Sequence, residues 1–340
     1  MAIKRTYFPD ISSKTWQHPA DRAALAALKK VPGLDTILQK FVGGTTERSL
    51  RLMHLASAVR VTENQFPKVH KLHREACAIF NLEKIPEVYI AQTPILNASA
   101  VGVNNPFIVL NSSMIDALDE EELLCVLGHE LGHCVSGHVL YKTLLAMLIQ
   151  FSLYFVNIPL GNISLMAIIA ALREWDRKSE LSADRAGLLV VQNPEVSYKL
   201  LMKMAGGPRI EEMDTNEFFL QAAEYEKGGN IIDSIYKLMN LLGRSHPFAV
   251  LRLTELKTWV DNGSYGKILG GDYIHTDEAE RRTAQQEFQE AKEQYKQDIN
   301  SSEDPLADIA LVMMGAAGAA TDKAKEMFDT IFGKGNGDGK

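Results

Sequence analysis

The residues best suited to chemistry form one short run, His129-Glu130-Leu131-Gly132-His133. Positions four apart on an α-helix lie nearly one above the other. His129 and His133 then offer two imidazole nitrogens to one point, a pair that suits Zn²⁺. Glu130, beside the first of them, is placed to take a proton from a water at such an ion. The bare pattern also arises by chance on ordinary helices. Here its intervening residues are uncharged, and Leu123, Leu124, Val126, Leu127 and Leu131 precede or interrupt it at helical spacing. Asp119-Glu120-Glu121-Glu122 puts acid at a helix start, where the macrodipole favours it. The run therefore predicts a buried helix with a metal-binding face.

A catalytic zinc takes three protein ligands and leaves one position open. The best third ligand is Glu180, in Arg177-Lys178-Ser179-Glu180-Leu181-Ser182-Ala183-Asp184-Arg185-Ala186. Leu181, Ala183, Ala186, Leu188 and Leu189 predict a second buried helix. Glu180 and Asp184 are again four apart, so Asp184 could accept a hydrogen bond from the outer nitrogen of a ligand histidine and fix its tautomer. The same residues also fit a solvated helix whose Arg177, Glu180, Asp184 and Arg185 pair with one another. Two such helices in one chain favour the metal reading.

His-Glu-Leu-Gly-His followed by Glu180-x-x-x-Asp184-Arg185 resembles the HtpX-like and CAAX-prenyl-endopeptidase-like zinc metallopeptidases, which are gluzincins. The resemblance takes in Asn97-Ala98-Ser99-Ala100, similar to that family's edge strand, and Ser245-His246-Pro247 with Arg252 after it, similar to its downstream His-Pro element. It runs from about residue 60 to 262. It implies a zinc-dependent endopeptidase, with protein quality control as a setting. One Zn²⁺ per chain would be held by His129, His133 and Glu180, with Glu130 as base. His246 would donate to the oxyanion, Asn97 to Ala100 would hold the substrate backbone, and Arg252 would brace the site or orient a carboxylate. The competing readings are an inert zinc-stabilised binding or chaperone module and a helical scaffold without metal.

Composition agrees with a folded enzyme. The chain has 340 residues and a net charge of −7, which gives no sign of nucleic-acid binding. Cys77, Cys125 and Cys134 are too few and too scattered for a disulfide framework and read as small buried apolar residues in a reducing compartment. Cys134 points about 100° from His133 and makes a poor fourth ligand. No long apolar run follows the basic N-terminus, so a cytoplasmic active site is expected, on peptide or unfolded-protein substrates.

The elements that must position these residues make an α+β chain, predominantly helical. Its core is zincin-like, with a small antiparallel sheet beside the metal-binding helix. Residues 1–60 read as an N-terminal helical extension, 61–262 as the peptidase domain and 263–340 as a C-terminal helical arm with a disordered tail. Helices are expected at 21–30, at 34–60 with a break at Gly43-Gly44, and at 63–80. His70 and His73 in the last of these read as exposed or hydrogen-bonded. Strands are expected at 88–91, 96–103 and 107–110, with Asn104-Asn105-Pro106 as a turn. Between Lys142 and Arg173 there is no charged residue, but Asn157, Pro159, Gly161 and Asn162 break the run. Each half is too short to cross a bilayer core of about 30 Å. Residues 143–172 therefore read as a helical hairpin covering the core or touching a membrane surface. Beyond the Glu180 helix, 194–205, 213–227 and 231–242 read as helices, followed by a charged helix over 278–300 and an Ala/Gly-rich one over 305–332.

Overall fold

The computed structural model describes residues 4–31, 33–42, 46–150, 165–227 and 249–281. The expectations for 231–242, for His246, for most of 278–300 and for 305–332 fall outside these residues. So does the middle of the apolar run, 151–164.

The N-terminal part holds α1 (Pro19–Leu28), α2 (Leu34–Val42), α3 (Thr46–Ser57), a two-residue strand β1 (Val59–Arg60) and α4 (Pro67–Ile79). Then come β2 (Val88–Ala91), β3 (Ala98–Val101) and β4 (Phe107–Asn111), followed by α5 (Ser112–Ala117), α6 (Glu120–Val135) and α7 (Val139–Gln150). The C-terminal part holds α8 (Leu165–Val191), α9 (Pro194–Gly206), α10 (Thr215–Lys227) and α11 (Ala249–Asp261). The α+β class with helix predominant agrees with this order, and several helix starts follow sequence signals. Asp119 and Glu122 form a capping box on α6, with reciprocal bonds of 2.8 and 2.9 Å. Proline opens α1, α4 and α9, where its missing N–H costs nothing.

The sheet differs from the expected antiparallel one. Its order is β1-β2-β4-β3, and β2 and β4 are parallel, with Val88 opposite Ile108 and Ala91 opposite Asn111. The β3–β4 hairpin is antiparallel, as is β1 on β2. After β2 the chain passes over the place of β4, lays down β3 at the far edge, and returns to fill the gap. Val-Tyr-Ile-Ala and Phe-Ile-Val-Leu are buried along their length, so their apolar runs carry no record of direction. β1 lies in a stretch read as helix; two residues are too few to set a period.

The main core joins the sheet to α4, α6, α9, α11 and the second half of α8, with Leu110, Leu124, Leu127, Leu131, Leu188 and Leu253 fully buried. Phe8 and Trp16 are buried in it too, so the start of the chain is stitched into the same core. A second cluster takes Leu28, Leu34 and Ile37 from α1 and α2, Leu144 and Leu148 from α7, and Ile168, Leu172 and Trp175 from α8. The described ends of the apolar run are therefore covered by the N-terminal helices. Its second half is the opening of the helix that bears Glu180, not a separate element. Among the described residues, no helix is long and apolar enough to cross a membrane.

α6 and α8 meet along small residues. A Cβ at Gly128 would stand 2.7 Å from that of Val190, one at Gly132 2.5 Å from that of Ala186, and one at Gly187 2.9 Å from the Cys125 carbonyl. Gly132→Val is therefore expected to destabilise by about 1–3 kcal/mol through overpacking. Valine's better helix propensity returns only a few tenths of a kcal/mol. A lowered urea midpoint at unchanged slope would report this, and an unchanged midpoint would show that the two helices part at little cost.

Candidate metal centre

Because α8 can approach α6 this closely, Glu180 reaches the face that His129 and His133 share. The two rings sit one turn apart, centroids 4.9 Å, nearly perpendicular. Glu180 is fully buried; its Oε2 lies 3.5 Å from His129 Nε2 and its Oε1 3.2 Å from His133 Nε2. One ligand-type atom from each of the three falls within 4.8 Å of the others. His133 Nε2 is buried without a hydrogen-bond partner, although a carboxylate oxygen is so near. Three donor atoms gathered this closely around one buried point suit an ion. Two imidazoles and a carboxylate fit a divalent transition metal.

The reading of the Glu180 helix as a solvated, self-paired one is overturned. Arg177 pairs instead with Glu174, at 2.7 Å, and Arg185 lies over the Trp259 ring. Asp184 points inward one turn after Glu180. Its Oδ1 is 3.1 Å from His129 Nδ1, the expected outer partner of a ligand histidine. Arg252, from α11, grips Asp184 through Nε at 2.7 Å and Nη2 at 2.5 Å, and its Nη1 is 3.2 Å from Glu180 Oε2. These contacts are compatible with both roles considered for Arg252, bracing the site and orienting a carboxylate.

Two charged neighbours were not foreseen. Lys142 Nζ donates to Glu180 Oε1 at 2.6 Å and to Asp176 Oδ1 at 2.7 Å. Asp176 had a signal, since Asp176, Glu180 and Asp184 repeat every four residues along α8. Lys142 had none beyond marking the end of an apolar run. Glu130, Asp176, Glu180 and Asp184 thus outnumber Lys142 and Arg252, an imbalance that a divalent cation corrects.

Burial, together with Lys142, holds the His133 imidazole well below its usual pKa, in the neutral form a metal requires. Burial also depresses His129, but hydrogen bonds to Asp184 and Glu180 outweigh it and push the ring up to about 9. Burial raises Glu130 above the ordinary carboxyl range, against the pull of His129. For Asp184 burial also acts upward, and Arg252 overrides it, keeping the carboxylate below its usual value.

Glu130 is 3% exposed, with Oε2 unpaired, and an Ala100 backbone hydrogen bond helps hold its charge. β3 is an edge strand paired only with β4, and its Ala98, Ser99 and Ala100 run beside α6. Asn97, just before it, has a buried Oδ1 without a partner. Asn97, His129 and Glu130 line one pocket together with the apolar side chains of Met114, Leu200 and Leu256. His246 lies outside the described residues.

Cys77 and Cys125 are buried free thiols, each pushed up to about 12 by burial. Cys134 is only half-buried, against the expectation of a fully buried residue, because it lies at the edge of the main core. His73 is buried and hydrogen-bonds the Pro86 carbonyl at 2.8 Å.

Comparison with known proteins bears on this geometry. The profile of peptidase family M48 matches residues 63–260. The plastoglobule-localized metallopeptidase 48 of Arabidopsis thaliana is 33% identical over 273 residues, 79% of this chain and 78% of that protein. Protease HtpX homolog 2 of Methanosarcina mazei is 27% identical over 58% of this chain and 74% of its own length. The protease HtpX homolog of Moorella thermoacetica is 26% identical over 59% and 74%. No solved structure matches.

Proposed function

The chain belongs to peptidase family M48 and is a metallopeptidase, and on that premise we propose that it is a zinc-dependent endopeptidase, with Glu130 as base and His129, His133 and Glu180 as ligands. The observation that carries this reading is the convergence of three ligand atoms within 4.8 Å, from two helices, beside a buried acid with a free oxygen. Two imidazoles with one carboxylate form a donor set that zinc uses in hydrolytic sites. Held by His129, His133 and Glu180, zinc would make a bound water far more acidic, with a pKa toward about 7, and would polarise the scissile carbonyl.

This chain's own groups do the rest. Glu130 accepts the proton of the attacking water at Oε2 and hands it to the departing amine. Asp184, locked by Arg252, keeps a proton on His129 Nδ1, so that Nε2 presents its lone pair inward. Lys142 and Arg252 neutralise Glu180 from either side and hold its angle. The open edge of β3 takes the substrate as an added extended strand, paired with the outward-facing backbone groups of Ala98 and Ala100, while Ser99 between them turns its own to β4. Asn97 Oδ1 accepts one further substrate N–H. His246 donates to the carbonyl oxygen as negative charge builds on it. Extended backbone is what unfolded proteins offer, which makes them the substrate class.

The test is metal analysis of purified protein together with hydrolysis of casein. About one zinc per chain is expected, with cleavage abolished by a chelator and restored by zinc. Zinc bound tightly with no cleavage of any unfolded protein would leave the inert binding module. No metal at all would remove the ligand assignment.

A further inference from the structure

The two ligand histidines are steadied differently. His129 turns its outer nitrogen to a carboxylate. His133 turns its own to another imidazole: His133 Nδ1 and His138 Nδ1 are 3.0 Å apart. Beyond it, His138 Nε2 lies 3.0 Å from Asp21 Oδ2, with the N–H out of line for a full hydrogen bond. Asp21 sits on α1, before the first residue that the family profile matches.

All three side chains are buried, His133 and His138 completely and Asp21 at 1%. Asp21 is fixed from both sides: Trp175 Nε1 donates to Oδ1 at 3.1 Å and Ser182 Oγ to Oδ2 at 2.6 Å. Both donors belong to α8, the helix of Glu180. The Trp175 ring meets His138 edge-on, centroids 5.7 Å apart, and limits its rotation.

Two ring nitrogens facing each other at this distance need one hydrogen between them. If His138 donated it, His133 would carry its own proton on Nε2 and could not ligate. If His133 Nδ1 donates, His133 Nε2 keeps its lone pair and His138 carries its proton on Nε2, facing Asp21. A carboxylate favours the second arrangement, because it accepts from Nε2–H and repels a bare lone pair.

We propose that Asp21 and His138 are positioning residues of the metal centre, through which α1 sets the tautomer and ring orientation of His133. This rests on the reading of His129, His133 and Glu180 as zinc ligands. Outer partners of ligand histidines typically account for about 10–100-fold in metal affinity.

The experiment is zinc affinity by competition with a chromophoric chelator, run on the full chain and below the melting temperature of each variant. Asp21→Asn and His138→Ala are each expected to weaken zinc about 10–100-fold. His138→Asn, whose amide oxygen can still accept from His133 Nδ1, is expected to recover most of the loss; a merely structural role would show no such rescue. Trp16→Phe is the control. It removes a different anchor of the same N-terminal segment, the Nε1 bond to Ser136 Oγ, and is expected to lower stability without loosening zinc. Wild-type zinc affinity in both Asp21→Asn and His138→Ala would overturn the proposal. So would a Trp16→Phe loss as large as theirs. If either charge-chain variant fails to fold, the other and the His138→Asn comparison still decide. A wild-type chain that binds no zinc would instead sink the ligand assignment itself.

Discussion

Glu130→Gln is expected to keep its zinc and lose hydrolysis by about 10²–10⁴-fold, the usual worth of a general base. Glutamine fills the same volume, and its amide oxygen can still take the Ala100 backbone bond. What it cannot do is accept a proton. Stability should hold or rise, since the substitution removes an acid that is 3% exposed and whose charged form burial already disfavours. The combination is diagnostic: a misfolded variant would lose zinc and melting temperature together with activity. Rates on casein, metal content and thermal melts on one preparation decide it. A variant that cleaves at the wild-type rate would mean that the proton goes elsewhere and that Glu130 is not the base.

Arg252→Met should show the largest effect on stability. Arg252 is 6% exposed and holds Asp184 in a two-pronged contact while touching Glu180. Removing it leaves two buried carboxylates short of a cation, and breaking a buried pair in this way costs about 3–5 kcal/mol. For a chain of this size that corresponds to a melting temperature lower by on the order of 10 °C. The penalty should be larger in zinc-free protein, because a bound divalent ion supplies part of the missing positive charge to Glu180. Zinc affinity should fall as well, since Asp184 loses its anchor and with it the hold on His129. Arg252→Lys keeps the charge but not the planar fork, so it should fall between the two. Melting curves with and without zinc that match wild type would show that the Arg252 contacts contribute nothing net.

The centre of this protein was largely legible in its sequence, because its spacing is a helical property. A four-residue interval puts His129 above His133, and Glu180 above Asp184, whatever the rest of the chain does. Acid at 119–122 and apolar residues at 123–131 mark the start and burial of α6 by rules that act within a few residues. Where the reading depended on distant pairing it ran out. β2 and β4 look alike on paper, and only the passage of β3 to the outer edge makes them parallel. The apolar run after Lys142 could have faced lipid; α1 and α2 cover its described ends, and its second part simply begins the Glu180 helix.

The charged partners were the least visible. Lys142 and Asp21 have no fixed interval to the groups they serve, so no period announces them; His138 follows His133 by five residues, but past the end of α6, where the helical interval no longer applies. The sequence by itself determined which residues share a helix face, and therefore what chemistry they can do, because a hydrogen-bond ladder of fixed pitch carries that information locally. Only the tertiary structure decided which buried charges neutralise one another and which group the outer nitrogen of each imidazole faces. Those outcomes depend on which helices, far apart in the chain, are pressed close enough to exclude water.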